Sequence, residues 1–251
     1  MLCVQQVLRI FSLNIFYFSI FSRRQLLKNI HSYKESFPGG SYKIGYSMKA
    51  NHNPTILKIM KDEDLSIVTV SGYEIQLALN LGFDSSKIFY NGVGKQRWEV
   101  ELAVENSCYL NVDSVFDAEL IDKVAKEKDK VIQVLLRLKP SISANVHPFL
   151  NTGFKSKFGI PEADLSEVLN MLKDNNKIVI VGLHIHIGST IEDVSVYTDI
   201  HQYAKKIIAR NHDLLKHVKI INIGGGLAID YSHQGKSPTP ADLAKAVSGD
   251  E

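Results

Sequence analysis

Residues 42–51, Tyr42-Lys-Ile-Gly-Tyr-Ser-Met-Lys-Ala-Asn51, decide how the rest of the chain is read. They read as a short buried strand that ends in one lysine, Lys49, and then a loop. Asn53-Pro54 follows as the cap and first residue of a helix. An asparagine side chain can accept from first-turn amides, and proline lacks the N–H that would be left without a partner there. Strand, loop and helix in that order make one β/α unit. A lysine at the C-terminal mouth of a barrel strand stands where such folds place reacting groups, whereas a solvating lysine usually rides a helix face.

From residue 42 onward the same unit repeats, with apolar runs alternating with amphipathic stretches. Strands are expected at residues 43–48, 66–70, 87–90, 109–112, 131–138, 178–187 and 220–223. Ser71-Gly-Tyr-Glu74 is a capping-box pattern and Gly82 can stop the helix it opens. Ser114 precedes a helix over 115–128, and Pro161 opens one reaching Lys173. Residues 191–217 form a long amphipathic stretch, and Thr239-Pro240 starts a last helix. The expectation is an α/β fold, a TIM barrel of (β/α)8 type, with 22–251 as one barrel domain. Seven strands are counted where a closed barrel has eight, so the barrel is expected to be incomplete after the seventh. The irregular loop 139–157, rich in Ser, Asn, His and Pro, is of a length more often functional than idle.

The bulk numbers narrow the function. At 45% hydrophobic and 22% charged residues, the 251-residue chain has the balance of a soluble globular protein. A net charge of +2 implies neither nucleic acid nor a large anionic partner. Two cysteines, Cys3 and Cys108, give no disulfide framework and suit a reducing compartment such as the cytoplasm. Residues 1–21 are atypical. Residues 11–21 are aromatic-rich, flanked by Arg9, Arg23 and Arg24, and no acidic residue precedes Glu35. That segment reads either as a targeting leader or as a strand running into a first helix over 21–37. Its apolar run is short and broken by Ser12, Asn14 and Ser19, so no membrane span is expected.

Four places could carry chemistry. Gly224-Gly225-Gly226 ends the seventh strand, the usual phosphate position of these barrels. Three missing side chains let backbone amides approach an anion there, although glycine is also the default turn residue. His184-Ile-His186-Ile-Gly188-Ser189 ends the sixth, and alternation turns both histidines to the barrel interior. His186 could lie flat on an aromatic cofactor while Ser189 donates to its phosphate, or the two rings could be hydrogen-bonded core histidines. A shared metal ion ranks third, because few further ligands stand at strand ends. Arg137, closing the fifth strand, needs a partner, either a cofactor oxygen or a neighbouring carboxylate. Glu74 is explained by its capping position alone. With a cradle and a stacking group present, Lys49 is placed to form a Schiff base with a carbonyl, above all that of pyridoxal phosphate.

Tyr46-Ser-Met-Lys-Ala-Asn51, Val70-Ser-Gly-Tyr-Glu74, His147-Pro-Phe-Leu-Asn-Thr-Gly153, Lys157-Phe-Gly159, His184 to Ser189 and Gly224 to Gly226 come in the order seen in one family. Over roughly residues 22 to 251 the chain resembles the barrel half of diaminopimelate decarboxylases, pyridoxal-phosphate enzymes of the alanine-racemase-like group related to ornithine and arginine decarboxylases. The resemblance implies Lys49 as the Schiff-base lysine and catalytic group, His186 stacked on the pyridine ring, and Ser189 with Gly224, Gly225 and Gly226 on the phosphate. Arg137 would sit near the cofactor's phenolic edge. The implied reaction converts meso-diaminopimelate to L-lysine and CO2 in a homodimer, with no metal. Val68 stands where the family usually has an aspartate, and Tyr73 where it usually has a glycine, a change that could narrow the pocket. In the family, the partner of the pyridinium nitrogen, the substrate carboxylate clamp and a C-terminal β-domain follow later in the chain. The sequence therefore reads as a fragment of doubtful competence on its own. Rival readings are a non-catalytic pyridoxal-phosphate-binding barrel, an ornithine- or arginine-type decarboxylase fragment, and a metal-dependent hydrolase built on His184 and His186.

Overall fold

All seven expected strands form, and they pair in parallel throughout. The computed structural model describes residues 21–39, 42–140, 157–231, 234–235 and 237–248. The strands are β1 (Gly45–Ser47), β2 (Ser66–Thr69), β3 (Ile88–Tyr90), β4 (Tyr109–Val112) and β5 (Ile132–Lys139), then a two-residue β6 (Ile160–Pro161), β7 (Ile178–Ile185) and β8 (Ile220–Asn222). The sheet order is β1-β2-β3-β4-β5-β7-β8, with β6 paired to the end of β5. Each strand therefore lies beside the next long one in sequence, which is the order of a barrel wall rather than of a doubly wound sheet. Among the described residues β1 and β8 do not pair with each other, so the sheet is a curled, open part-barrel. β6 was not anticipated: two residues carry no periodicity to detect.

Helices follow the strands in turn: α1 (Arg23–Ser36) leads, then α2 (Pro54–Asp62), α3 (Gly72–Asn80), α4 (Arg97–Glu105), α5 (Val115–Glu127), α6 (Glu162–Leu172), α7 (Ser195–Arg210) and α8 (Pro240–Ser248). Their starts are written in the sequence. Asn53 Oδ1 accepts from Thr55 N, Ser71 Oγ from Glu74 N, and Ser114 Oγ from Asp117 N. Gly82 ends α3 in the left-handed region at φ +76°, with Phe83 N donating to Ala78 O. Two readings need correction. The 191–217 stretch is helical only over Ser195–Arg210, because Gly188 to Asp193 is used to build the site. α4 had no sequence signal: Gln96 is an unusual cap, and its amide is held instead by Glu99 Oε2 at 2.9 Å.

Most of the core lies between sheet and helices, where Ile67, Ile88, Leu110, Val134, Leu136, Leu183 and Ile185 are almost wholly buried. A second, smaller cluster fills the concave side: Phe89, Leu135 and Val181, with Val68, Tyr109, Val179 and Ile220 packed on it. The Phe89 and Tyr109 rings stack there at 4.5 Å and 8°.

One irregularity governs what faces the mouth. Val134 pairs with Ile180 but Leu135 pairs with Gly182, so Val181 is an extra residue on β7. Val179 and Val181 face inward before this bulge, and the parity then changes. Strict alternation from Val179 would have turned His184 and His186 outward. The bulge sends both inward, level with Arg137 of β5.

Candidate cofactor site

Lys49 is delivered by a folded turn rather than by the strand itself. β1 ends at Ser47, and Met48–Ala50 form one 3-10 turn with Met48 fully buried and Lys49 exposed. Tyr46 Oη donates to Asn51 O at 2.9 Å and Asn53 N to Asn51 Oδ1 at 2.9 Å, which closes the loop into α2. Burial of Met48 pins the turn, and the next side chain is released to solvent. The expected buried strand is thus corrected to a short, half-exposed one, because its inner face lines an open mouth.

On the far side, the loops after β7 and β8 are tied to each other. Ile191 N donates to Gly226 O at 2.8 Å and Ala228 N to Ile191 O at 3.0 Å, a parallel bridge between Ile191 and Leu227. Ser189, half-buried, stands two residues ahead of that bridge. Gly224 (φ +74°) and Gly226 (φ +108°) lie in the left-handed region. A Cβ on Gly224 would lie 2.7 Å from His186 Nδ1, and one on Gly226 would lie 2.1 Å from Gly188 O. A Cβ on Gly225 would meet nothing within 4 Å. Gly224 and Gly226 are therefore needed for the loops to close, while Gly225 opens onto free space. The Gly224 N–H is already committed to Asn222 Oδ1 at 2.9 Å, and that of Gly225 makes only a long bond, 3.4 Å, to His186 Nδ1. Of these amides, that of Gly224 is thus occupied and that of Gly225 only weakly so.

Between these edges, His186, His184 and Arg137 line the floor. Burial first, then the Arg137 guanidinium and the Lys49 ammonium, hold the His186 ring well down, to about 4. His184, 2% exposed, is likewise held well below 6.5 by burial and then by Arg137, His186 and Lys49. Arg137 and His184 are register partners on β5 and β7, His186 follows two residues beyond His184, and Lys49 stands just past β1, all at the same C-terminal end of the sheet. Asn111 Nδ2 donates to Asn91 Oδ1 at 2.6 Å and stands 3.1 Å from His184 Nδ1. Among the described residues no group of three or more His, Cys, Asp or Glu side chains is gathered as a metal site. The buried Asn111 Oδ1 faces no donor among them.

Of the two partners open to Arg137, the structure supplies the carboxylate: Arg137 Nη1 donates to Asp113 Oδ1 at 3.1 Å. The guanidinium also lies 4.8 Å over the Phe158 ring. Behind it is a polar cluster that sequence reading missed. Lys95 and Asp117 form a buried ion pair, Asp113 N donates to Asp117 Oδ2 at 3.1 Å, and Lys95 stands 5.4 Å over the Tyr90 ring. Glu99 Oε1 accepts from Gly72 N at 2.7 Å. Lys95 carried no signal because it sits in a polar stretch that reads as surface, and Asp117 none because an acidic first-turn residue of a helix is ordinary. Ser71 caps α3 as expected, but Glu74 Oε2 accepts from Val70 N at 2.8 Å rather than from the Ser71 N–H, so only half of the capping box forms. Tyr73 is largely exposed and leans on Trp98, with ring centroids 5.1 Å apart, so it does not fill space between strands. Val68 packs inward in the smaller cluster. The His147 to Gly153 loop and residues 1–20 lie outside the described residues. Two surface hollows are lined by α1 alone and by residues of the opposite, N-terminal edge of the sheet, such as Ile44, Ser66 and Lys87. They do not mark this mouth.

A parallel part-barrel with a lysine on its first strand mouth and a glycine cradle on its last defines the class as phosphate-cofactor barrels. Residues 23–248 match the family described as "Pyridoxal-dependent decarboxylase, pyridoxal binding domain", and the chain belongs to that family. It is 38% identical over 237 residues to a probable chloroplastic diaminopimelate decarboxylase of Oryza sativa subsp. japonica, covering 92% of this chain and 48% of that one. It is 34% identical to diaminopimelate decarboxylase of Bacteroides thetaiotaomicron, covering 90% of this chain and 58% of that one. The crystal structure of Helicobacter pylori diaminopimelate decarboxylase with L-lysine superposes with a TM-score of 0.81 at 30% identity, over 89% of this chain and 57% of that one. The chain thus spans about half the length of the curated relatives it matches. No helix among the described residues is long and apolar enough to cross a membrane.

Proposed function

We propose that this chain is the cofactor-binding barrel half of a diaminopimelate decarboxylase, acting on meso-diaminopimelate to give L-lysine and CO2. The observation that carries the reading is the convergence of Lys49, His186 and the Gly225 amide on one mouth, in a chain of the pyridoxal-binding family. The choice of substrate rests on the relatives' names.

The residues present fit pyridoxal phosphate. The Gly225 and Gly226 amides and the Ser189 hydroxyl would hold the phosphate, a reading supported by the open space in front of Gly225. His186, neutral at physiological pH, can lie against a flat ring without adding charge to it. Arg137, held by Asp113, can face a cofactor oxygen. Lys49, exposed at the rim, can hold the cofactor's carbonyl carbon covalently and later carry a proton at the substrate α-carbon. When bound, the cofactor supplies an electron sink for the carbanion left by CO2 loss. Residues that clamp the substrate carboxylates and partner the pyridine nitrogen are not among those described, and a homodimer is proposed to complete the site.

A reducing compartment such as the cytoplasm suits the chain. Cys108 is a free, buried cysteine whose thiol burial pushes up to about 12, away from the reactive thiolate form. Carbon dioxide release from meso-diaminopimelate, measured against ornithine and arginine, tests the substrate. Preference for either of the latter would overturn the assignment.

A further inference from the structure

The polar cluster behind Arg137 is larger than a single buried cation needs. Arg137 is 6% exposed and its guanidinium meets one carboxylate oxygen, Asp113 Oδ1 at 3.1 Å, and the face of Phe158. Asp113 is itself tethered, its backbone N–H donating to Asp117 Oδ2 at 3.1 Å. The Asp117 carboxylate is in turn fixed by the buried Lys95 ammonium, and the Asp117 N–H by Ser114 Oγ at 3.2 Å. A Lys–Asp pair removed from water gains little net stability over apolar side chains of the same volume. Its position suggests another use: every link in the series restricts the next one toward the mouth.

We propose that Asp113 is a positioning residue that aims the Arg137 guanidinium at the cofactor site, with the Lys95–Asp117 pair holding Asp113 in place. This rests on the proposed function, since Arg137 needs a cofactor oxygen to act on. The geometry supports a directional role. Among the described residues the guanidinium makes one hydrogen bond, from Nη1, so the other N–H donors of the fork can point elsewhere, and the Phe158 ring lies against its face. An arginine paired this way loses little further side-chain freedom when it meets an oxygen, so the pairing raises affinity by pre-organisation.

The test uses this chain with pyridoxal phosphate, reading cofactor affinity by absorbance titration and the melting temperature of the cofactor-free chain. Asp113→Asn keeps the shape and removes the charge; it lowers the cofactor-free melt, because the buried Arg137 loses its carboxylate, and is expected to weaken cofactor affinity about tenfold at temperatures where parent and variant are both fully folded. Asp113→Glu should recover part of the loss. In an Arg137→Met background, Asp113→Asn should have no further effect on affinity. If the two substitutions weaken binding independently, the positioning role is wrong. Unchanged affinity in Asp113→Asn, or a loss that only follows a lowered melt, also overturns it. Should Asp113→Asn fail to fold, Asp113→Glu carries the test, since a displaced carboxylate that leaves affinity at the parent value contradicts the role. If the parent chain itself takes up no cofactor, the proposed function fails instead, and the two failures are distinguishable.

Discussion

Arg137 and His184 are register partners, side by side on β5 and β7, both buried and both turned into the mouth. A fixed cation beside an imidazole in a poorly solvated site keeps that imidazole neutral. His186 experiences the same field and is held at about 4. A ring whose folded value lies below its unfolded 6.5 binds its proton late on acidification. Between about 6.5 and 4 the unfolded chain therefore carries more protons on this ring, so its contribution to stability falls as pH drops through that window. Two and a half units correspond to about 3 kcal/mol for His186, and His184 adds to it. Urea midpoints at pH 7 and pH 4.5 check this. His186→Phe should flatten the slope, and a variant as pH-sensitive as the parent would contradict the neutral-ring account.

Lys49 is expected to be the residue that bonds the cofactor. It is exposed on a turn fixed by Met48, and it acts electrostatically on His184 and His186 across the mouth. Incubation with pyridoxal phosphate, borohydride reduction and peptide mapping should place the label on Lys49. Lys49→Ala should lose it while melting like the parent, because an exposed lysine contributes little to folding. A label of parent yield on another lysine would count against the assignment.

Much of this arrangement is legible in the sequence because it is local. Lys49 before Asn53-Pro54, Ser71 before Glu74, and three glycines after residues 220–223 are short-range patterns, and each is found where its pattern puts it. What stayed hidden is set by distant partners. The Val181 bulge, on which the inward turn of both histidines depends, is a mismatch between β5 and β7 that neither strand reveals alone. Lys95 reads as surface because its neutralising carboxylate lies 22 residues away, across α4. Arg137 was undecided between a carboxylate and a cofactor oxygen for the same reason, as Asp113 ends a different strand.

The three glycines should behave differently from one another. Gly224→Ala meets His186 Nδ1 at 2.7 Å and Ile185 O at 2.8 Å and forces a left-handed backbone, so it should lower stability by roughly 1–3 kcal/mol. Gly225→Ala should fold as the parent does, since nothing lies within 4 Å of the new methyl group. Gly225→Asp should fold nearly as well yet bind pyridoxal phosphate far more weakly, because its carboxylate enters the space proposed for a dianion. Melting curves and cofactor titrations at fixed salt separate the two effects. Equal affinity in Gly225→Asp and parent would remove the phosphate role from this loop.

The Lys95–Asp117 pair should be costly to break and cheap to replace. Both side chains are almost wholly buried, and Asp117 also accepts from the Asp113 amide. Lys95→Met leaves a carboxylate in a dry site with the Asp113 N–H as its remaining partner, and a loss of about 3–5 kcal/mol is expected. Asp117→Leu strands the ammonium over the Tyr90 ring, which compensates only in part. The double variant Lys95→Met/Asp117→Leu removes both charges at once and should recover most of that loss. It still leaves the Asp113 N–H without its acceptor, which keeps a deficit of about 1–3 kcal/mol. Urea melts of the two single variants and the double give the coupling energy directly. Additive losses would mean that the two groups do not depend on each other, and that the cluster beside Arg137 is held by something other than this pair.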